Sequence, residues 1–204
     1  YWRKDVFPLY KQNRKKDHEK SKFDWQAFYQ SFNQIKKEIK EDLPFKAIEV
    51  YKCEADDVIA VLSSYLCPRH DKIVIVSSDK DLLQIQDNIC NKVKQWSPFH
   101  KKFITSTTNE YSLFEHVIRG DGGDGIPNIL SDDDVFLIGG KRSKPIKTTN
   151  IMEWKEKGTD MLPESAKEKL NRNRTLIDLR EIPDNLKTEI IATYNNYNPP
   201  EKDL

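Results

Sequence analysis

Apolar residues return along this chain with two different periods, and each period sets an expected element. From Asp24 onward, Trp25, Phe28, Tyr29, Phe32, Ile35 and Ile39 recur every three or four positions. That is one face of a helix, with Asp24 as its N-cap and Pro44 as its stop. Ala47–Tyr51 reads as a short strand. A second helix is expected to open near Glu54, with Val58, Val61, Leu62 and Tyr65 on one face. After Pro68, the run Lys72–Ser77 has the β-branched content of a buried strand. Strand, helix and strand in that order predict a parallel α/β sheet. Two more short strands are expected at Val93–Trp96 and Lys102–Thr105, and helices near 110–119, 150–158, 163–173 and 184–194. Ahead of all this lies a polar arm, 1–22, in which Pro8 interrupts any single long helix. The segmentation is therefore a basic arm (1–22), the remainder of an α/β core (23–119) and a mainly helical C-terminal part (120–204).

Composition adds little until it is read by position. The 204 residues hold 34 Lys and Arg against 33 Asp and Glu, a net charge of +1, which by itself does not announce a nucleic-acid binder. A charged fraction of 33% is above the usual quarter, so these groups must be solvated, paired or used. No run approaches the roughly 18 apolar residues of a membrane span, and no signal peptide is seen. The expectation is a cytoplasmic protein with no membrane partner. Cys53, Cys67 and Cys90 are odd in number and form no CxxC pair, which fits a reducing compartment and argues against a disulfide scaffold. The first residue is Tyr1, and the chain enters at once into a patterned segment, so it reads as a piece of a longer protein.

The charges are unevenly placed. The arm carries eight basic and three acidic residues, with Tyr1, Trp2, Phe7 and Tyr10 among them. Those aromatics either stack on frayed bases or pack on the sheet. Lys141, Arg142, Lys144 and Lys147 form a second, acid-free basic patch, a candidate contact to duplex backbone or a solvated loop. The acids gather elsewhere. Glu54, Asp56 and Asp57 fall where a strand hands over to a helix, Asp79 and Asp81 directly follow a strand, and Asp121 and Asp124 lie in the glycine-rich turn Gly120–Gly125. Ligand sites of parallel sheets lie outside the carboxyl ends of strands. Each cluster alone also serves as a helix cap or a turn. Together they predict carboxylates crowded enough to need a counter-charge, and oxygen-only ligation favours Mg²⁺ or Mn²⁺ over zinc. His18, His70, His100 and His116 have no zinc spacing. An EF-hand fails because Leu83 and Gln84 follow Asp81 where a third oxygen ligand and a glycine are required. Gly139–Ser143 is no P-loop, since Arg142 splits Lys141 from Ser143.

At this point the motifs become recognisable. Glu54-Ala-Asp-Asp57 with Val58-Ile-Ala60, Ser77-Ser-Asp-Lys-Asp-Leu82 and Gly120-Asp-x-x-Asp124 resemble the acidic motifs of the 5′-nuclease, or flap endonuclease, family. Arg3, Phe7-Pro8, Tyr10-Lys11 and Arg14 resemble that family's bridge or arch segment. Lys92–Pro98, His100–Lys102 and Ile182–Asn185 look like its phage-replication branch. The resemblance implies a PIN-like α/β nuclease core with a central, mostly parallel sheet, and a helical DNA-binding subdomain of divergent helix–hairpin–helix type. It implies that Glu54, Asp56, Asp57, Asp79, Asp81, Asp121 and Asp124 hold two Mg²⁺ ions, with Mn²⁺ able to substitute. It places Asp56, Asp79, Lys11 and Arg14 in catalysis. Arg3, Lys11, Arg14, Lys15, Lys16, Lys141, Arg142 and Lys144 would meet nucleic acid. The implied partners are DNA and RNA–DNA duplexes with a 5′ end or flap, together with a sliding clamp and a single-strand-binding protein. Family carboxylates of an N-terminal strand, and of the loop before the arch, precede Tyr1, and a short C-terminal segment is also expected to be absent. Gly125 stands where many relatives have Asn, and Asn128–Asp134 replaces the family's glycine hairpin.

Three functions stay open on the sequence alone. The first is a metal-dependent 5′→3′ nuclease that removes RNA primers during phage DNA replication, clamping the phosphate between two cations about 4 Å apart. The second is a non-catalytic module that binds branched nucleic acid and keeps the acidic motifs as structure. The third is a phosphatase of another α/β type, in which the basic arm has no role.

Overall fold

A computed structural model describes residues 1–107 and 112–201, with the side chains of Lys16, Asp17, Glu19 and Lys20 also outside the description. The arm forms two short helices, α1 (Arg3–Val6) and α2 (Gln12–Lys20), parted at Pro8 as expected. Helix α3 (Trp25–Asp42) is capped by Asp24, whose Oδ1 accepts from the Ala27 amide at 2.9 Å. It ends before Pro44. Its apolar stripe is real, yet no residue of α3 is buried. The rings pack on one another instead, with His18 stacked on Trp25 at 3.9 Å and Phe28 on Phe32 at 6.2 Å.

Helix α4 (Ala55–Leu66) starts at Glu54 and buries Ala60 and Val61 in the core that also holds Ile75 and Val93. Strand β1 (Ile73–Val76) pairs in parallel with β2 (Val93–Ser97), Ile73 opposite Val93, and the short helix α5 (Leu83–Asn88) lies on the crossover. Strand β3 (Lys102–Ile104) then pairs antiparallel with β2, Trp96 opposite Phe103. The result is a mixed three-stranded sheet in the order β1-β2-β3.

Two expectations are corrected. Ala47–Tyr51 forms no strand, because its backbone finds no ladder partner among the described residues; Val50 is buried, but beside α4. Its composition suits any half-buried extended segment, which is what strand propensity measures. Cys67 and Cys90, expected to stay reduced, are joined by a disulfide with Cα atoms 5.9 Å apart, leaving Cys53 free. The bridge ties the end of α4 to the turn before β2.

The C-terminal part is helical, as expected. Helix α6 (Leu113–Arg119) follows residues 108–111, the start of the helix expected near 110, which lie outside the described residues. Helices α7 (Thr148–Lys157), α8 (Glu164–Ile177) and α9 (Asp184–Asn196) complete it. Two hydrophobic cores result, and neither follows the segment boundaries. One joins Phe7 and Tyr10 of the arm to α6, α7 and α8. The other joins Trp2 to Ala60, Ile75 and Val93 of the α/β part and to Leu186 and Ile190 of α9. Asn173 on α8 knits the first core, its amide donating to the Val117 and Pro127 carbonyls at 3.1 and 2.8 Å. Among the described residues no helix is long and apolar enough to cross a membrane.

Candidate active site

The acidic groups are positioned by backbone devices close to them in sequence. Glu54 is the N-cap of α4, and its own amide donates to Asp57 Oδ2 at 2.9 Å, half of a reciprocal capping arrangement. Asp79 caps the single turn Lys80–Leu82 after β1, accepting from the Asp81 amide at 3.0 Å. The loop that carries it is fixed from β2, where the fully buried Gln95 donates to the Ser77 and Asp79 carbonyls at 3.0 and 2.6 Å. In the glycine turn, Asp121 Oδ1 accepts from the Gly123 and Asp124 amides at 2.7 and 3.2 Å. Gly120 is required there: its φ is +69°, and a Cβ would lie 2.3 Å from the Ile126 carbonyl oxygen.

The arm brings these clusters together. Tyr10 Oη lies 2.7 Å from Glu54 Oε2 and 2.8 Å from Asp124 Oδ2, so its single proton serves two carboxylates in turn. Lys11 Nζ sits 2.5 Å from Glu54 Oε1 and 3.5 Å from Asp124 Oδ2. The Lys11 amide donates to the Asp124 carbonyl at 2.8 Å, held by a left-handed backbone at φ 58°. Arg14 pairs with Asp124 and donates from Nε to the Gly123 carbonyl at 3.0 Å, while the Asn13 amide donates to the Gly122 carbonyl at 2.9 Å. On the other side of the turn, His116 of α6 places Nδ1 3.6 Å from Asp81 Oδ1 and Nε2 3.6 Å from Asp121 Oδ2.

Electrostatics follow from this traffic. Burial pushes the Asp81 carboxyl up to about 6, with Asp79, Asp121 and Asp124 adding to the rise and His116 opposing it. Burial likewise raises Asp56, against the pull of Arg3. Burial alone would also raise Glu54, but hydrogen bonds from Lys11 and Tyr10 hold it below the usual range. Asp121 is held down in the same way by His116 and the turn amides, which outweigh its burial. For His116, burial would favour the neutral ring, yet Asp121 and Asp81 raise its pKa.

The predicted residues are thus sorted. Glu54, Asp124, Asp121, Asp81 and Asp79 form one connected acidic site, with Asp56 beside it on α4. Asp57 is set apart: it is fully buried, and accepts from Trp2 Nε1 at 3.1 Å and from both terminal nitrogens of Arg3 at 3.0 and 2.8 Å, besides the Glu54 amide. Those bonds occupy its oxygens inside the protein. Arg3 is only 2% exposed and spends Nε on the Leu176 carbonyl, so it cannot reach a phosphate; it anchors the arm instead. Trp2 and Tyr10 are buried, which removes them as base-stacking platforms, whereas Tyr1 is exposed. Lys15 is exposed on α2, and the side chain of Lys16 lies outside the described residues. The second basic patch is not acid-free. Lys141 pairs with Asp132 at 3.0 Å and with Asp134, acids seven to nine positions upstream. Arg142 and Lys144 are exposed.

Sequence reasoning missed two residues. Tyr10 gave no signal beyond its place in the arm. His116 did: it sits on the helix that leads directly into the acidic turn, one helical turn and a half before Asp121. Of the described residues, only Asp81, His116 and Asp121 offer donor atoms that all lie within 4.8 Å of one another. That donor set suits a divalent cation.

A carboxylate site at the end of a parallel strand, overlaid by a basic arm and backed by helices, defines a nuclease of the resolvase-like α/β type. The chain matches the 5′-3′ exonuclease N-terminal resolvase-like domain over residues 1–116 and the T4 RNase H C-terminal domain over 107–203, and it belongs to the 5′-3′ exonuclease family. It is 34% identical to the ribonuclease H of Enterobacteria phage T4 over 209 residues, which cover 99% of this chain and 68% of the relative. The flap endonuclease Xni of Shewanella woodyi is 30% identical over 136 residues, 63% of this chain and 49% of that protein. The chain therefore spans only part of the length of either relative. Among solved structures, the T5 D15 protein co-crystallised with metal ions shares the fold with a TM-score of 0.65 at 20% identity, covering 94% of this chain and 80% of that one. A T5 D15 flap endonuclease complex with DNA and metal ions superposes with a TM-score of 0.63 at 18% identity, covering 96% and 80%.

Proposed function

We propose that this protein hydrolyses phosphodiesters at the 5′ ends of RNA–DNA hybrids and of nicked or flapped duplexes, using two divalent cations, Mg²⁺ in the cell. One observation carries the reading: Lys11 and Arg14 reach from the arm onto the same carboxylates that would hold the metals. A phosphate entering with its cations finds acids for the metals and bases for its own oxygens at one place. The relatives named ribonuclease H and flap endonuclease agree with this chemistry, as do the T5 D15 structures with metal ions and DNA.

Glu54, Asp56 and Asp79 would hold one cation, and Asp81, Asp121 and Asp124 the other. Bound cations supply Lewis acidity and the charge that lets a polyanion approach an acidic site. The protein's own groups do the rest. Tyr10 keeps Glu54 and Asp124 at a fixed separation. Lys11 and Arg14, which pair here with Glu54 and Asp124, would offset charge on the non-bridging oxygens of the phosphate. Lys15 on the arm, with Arg142 and Lys144 near α7, offers salt-sensitive contacts to flanking backbone. Removal of RNA primers during phage replication, in the host cytoplasm and alongside a sliding clamp and a single-strand-binding protein, is the setting this activity fits.

The test is direct. A 5′-labelled RNA–DNA hybrid and a flapped duplex are incubated with the protein in Mg²⁺ and in EDTA. Short products from the 5′ end are expected with Mg²⁺ alone, and Asp56→Asn and Asp79→Asn should each lower turnover by about a hundredfold or more. The reading fails if both variants cut like the wild type.

A further inference from the structure

The cations of the arm account for Glu54, Asp57 and Asp124, but Asp81 and Asp121 face an imidazole. We propose that His116 is a nitrogen ligand to the cation shared by Asp81 and Asp121, making the second metal position a mixed oxygen–nitrogen site that favours first-row transition cations over Mg²⁺. This inference rests on the metal-dependent reading above and adds to it a ligand and a preference.

Geometry supports it in three ways. Donors bound to one ion at about 2.0–2.2 Å stand about 3–4 Å apart, and one nitrogen of His116, one oxygen of Asp81 and one oxygen of Asp121 already lie within 4.8 Å of one another. Asp121 Oδ1 is committed to backbone amides, so Oδ2, the oxygen facing His116, is the one left for an ion. Finally, the imidazole is held in place: its neighbours Val117 and Ile118 are buried in the core, and α6 is capped by Ser112. The two ring nitrogens face different carboxylates. One can therefore bind the ion while the other donates its N–H to the carboxylate it faces, the arrangement that fixes the tautomer and orientation of a ligating histidine. Oxygen-only sites suit Mg²⁺, whereas an imidazole shifts preference toward the later first-row metals.

The measurement uses Mn²⁺ as probe. Pulsed electron paramagnetic resonance of the wild type loaded with Mn²⁺ should show ¹⁴N modulation that changes to ¹⁵N in protein labelled at histidine. His116→Ala should abolish it and weaken Mn²⁺ binding at this site about tenfold, with Mg²⁺ affinity nearly unchanged. His116→Gln, which keeps the volume, should behave like His116→Ala, so a folding defect is distinguishable. Bound Mn²⁺ without nitrogen modulation in the wild type, or modulation that persists in both variants, overturns the assignment and leaves the nuclease reading standing. No Mn²⁺ binding at all would sink both.

Discussion

At the scale of single residues, the site depends on side chains with more than one partner. Gly120 is the most exacting position, because its backbone is left-handed and the Ile126 carbonyl fills the space a Cβ needs. Gly120→Ala should cost at least about 1–3 kcal/mol in urea unfolding and displace Asp121. Asp178, which is none of the proposed metal ligands, offers a cleaner electrostatic test. It caps the turn Leu179–Glu181 and pairs with Arg180 through both oxygens. Burial would raise its pKa, but the Arg180 side chain and amide outweigh it and hold the group below the usual carboxylate value. A depressed carboxylate stabilises the fold above its unfolded pKa and loses that contribution as pH falls through the folded one. Asp178→Asn should therefore cost about 1 kcal/mol at pH 7, and the gap to the wild type should close below about pH 4. Glu54, Asp79 and Asp121 were legible because each is held by contacts a few residues away. Tyr10, His116 and the burial of Arg3 were not, because their partners lie 44 to 173 residues off or on the far side of a turn whose geometry a sequence does not print.

Elements were legible where the period was long and capped. Helix α3 shows both the strength and the limit of that signal: cap, stripe and stop all stand where expected, but the stripe faces outward. Phe28, Tyr29, Phe32 and Ile35 are 44–52% exposed. Phe32→Ser should thus change stability by no more than about 0.5 kcal/mol while reducing the binding of a dye that reports exposed apolar surface. Loss of the cap in Asp24→Ala should cost about 1 kcal/mol of helix stability. The segment Ala47–Tyr51 failed for the complementary reason, since a strand is a relation between two segments and periodicity describes only one. The Cys67–Cys90 pairing was likewise invisible, as a 23-residue separation carries no motif.

For the whole molecule, near-neutral net charge conceals a site in which cations of the arm pair with Glu54 and Asp124 while Asp81 and Asp121 face an imidazole. Without metal, the raised pKa values of Asp81 and His116 both mean that the folded state holds protons the unfolded state releases. Stability from this site should fall as pH rises from about 4 to beyond 6.5. Divalent cations should reverse that loss, by about 2.7 kcal/mol at a hundred times the dissociation constant. Thermal melts at pH 5.5 and 7.5, with Mn²⁺ and with EDTA, would show a larger cation effect at the higher pH; an equal effect at both would count against this account.

The two interlocked cores bear on the order of assembly. Trp2 and Arg3 are made well before the elements they pack on: Arg3 closes onto Leu176, 173 residues later, and Trp2 belongs to a core that includes Ile190. Contacts of that sequence separation close late, although the entropic cost of closing a loop grows only slowly with its length. The arm is therefore made before the helices that place it, so a nascent chain carries Lys11 and Arg14 through a long stretch of its synthesis before α8 and α9 hold the arm over the acidic turn.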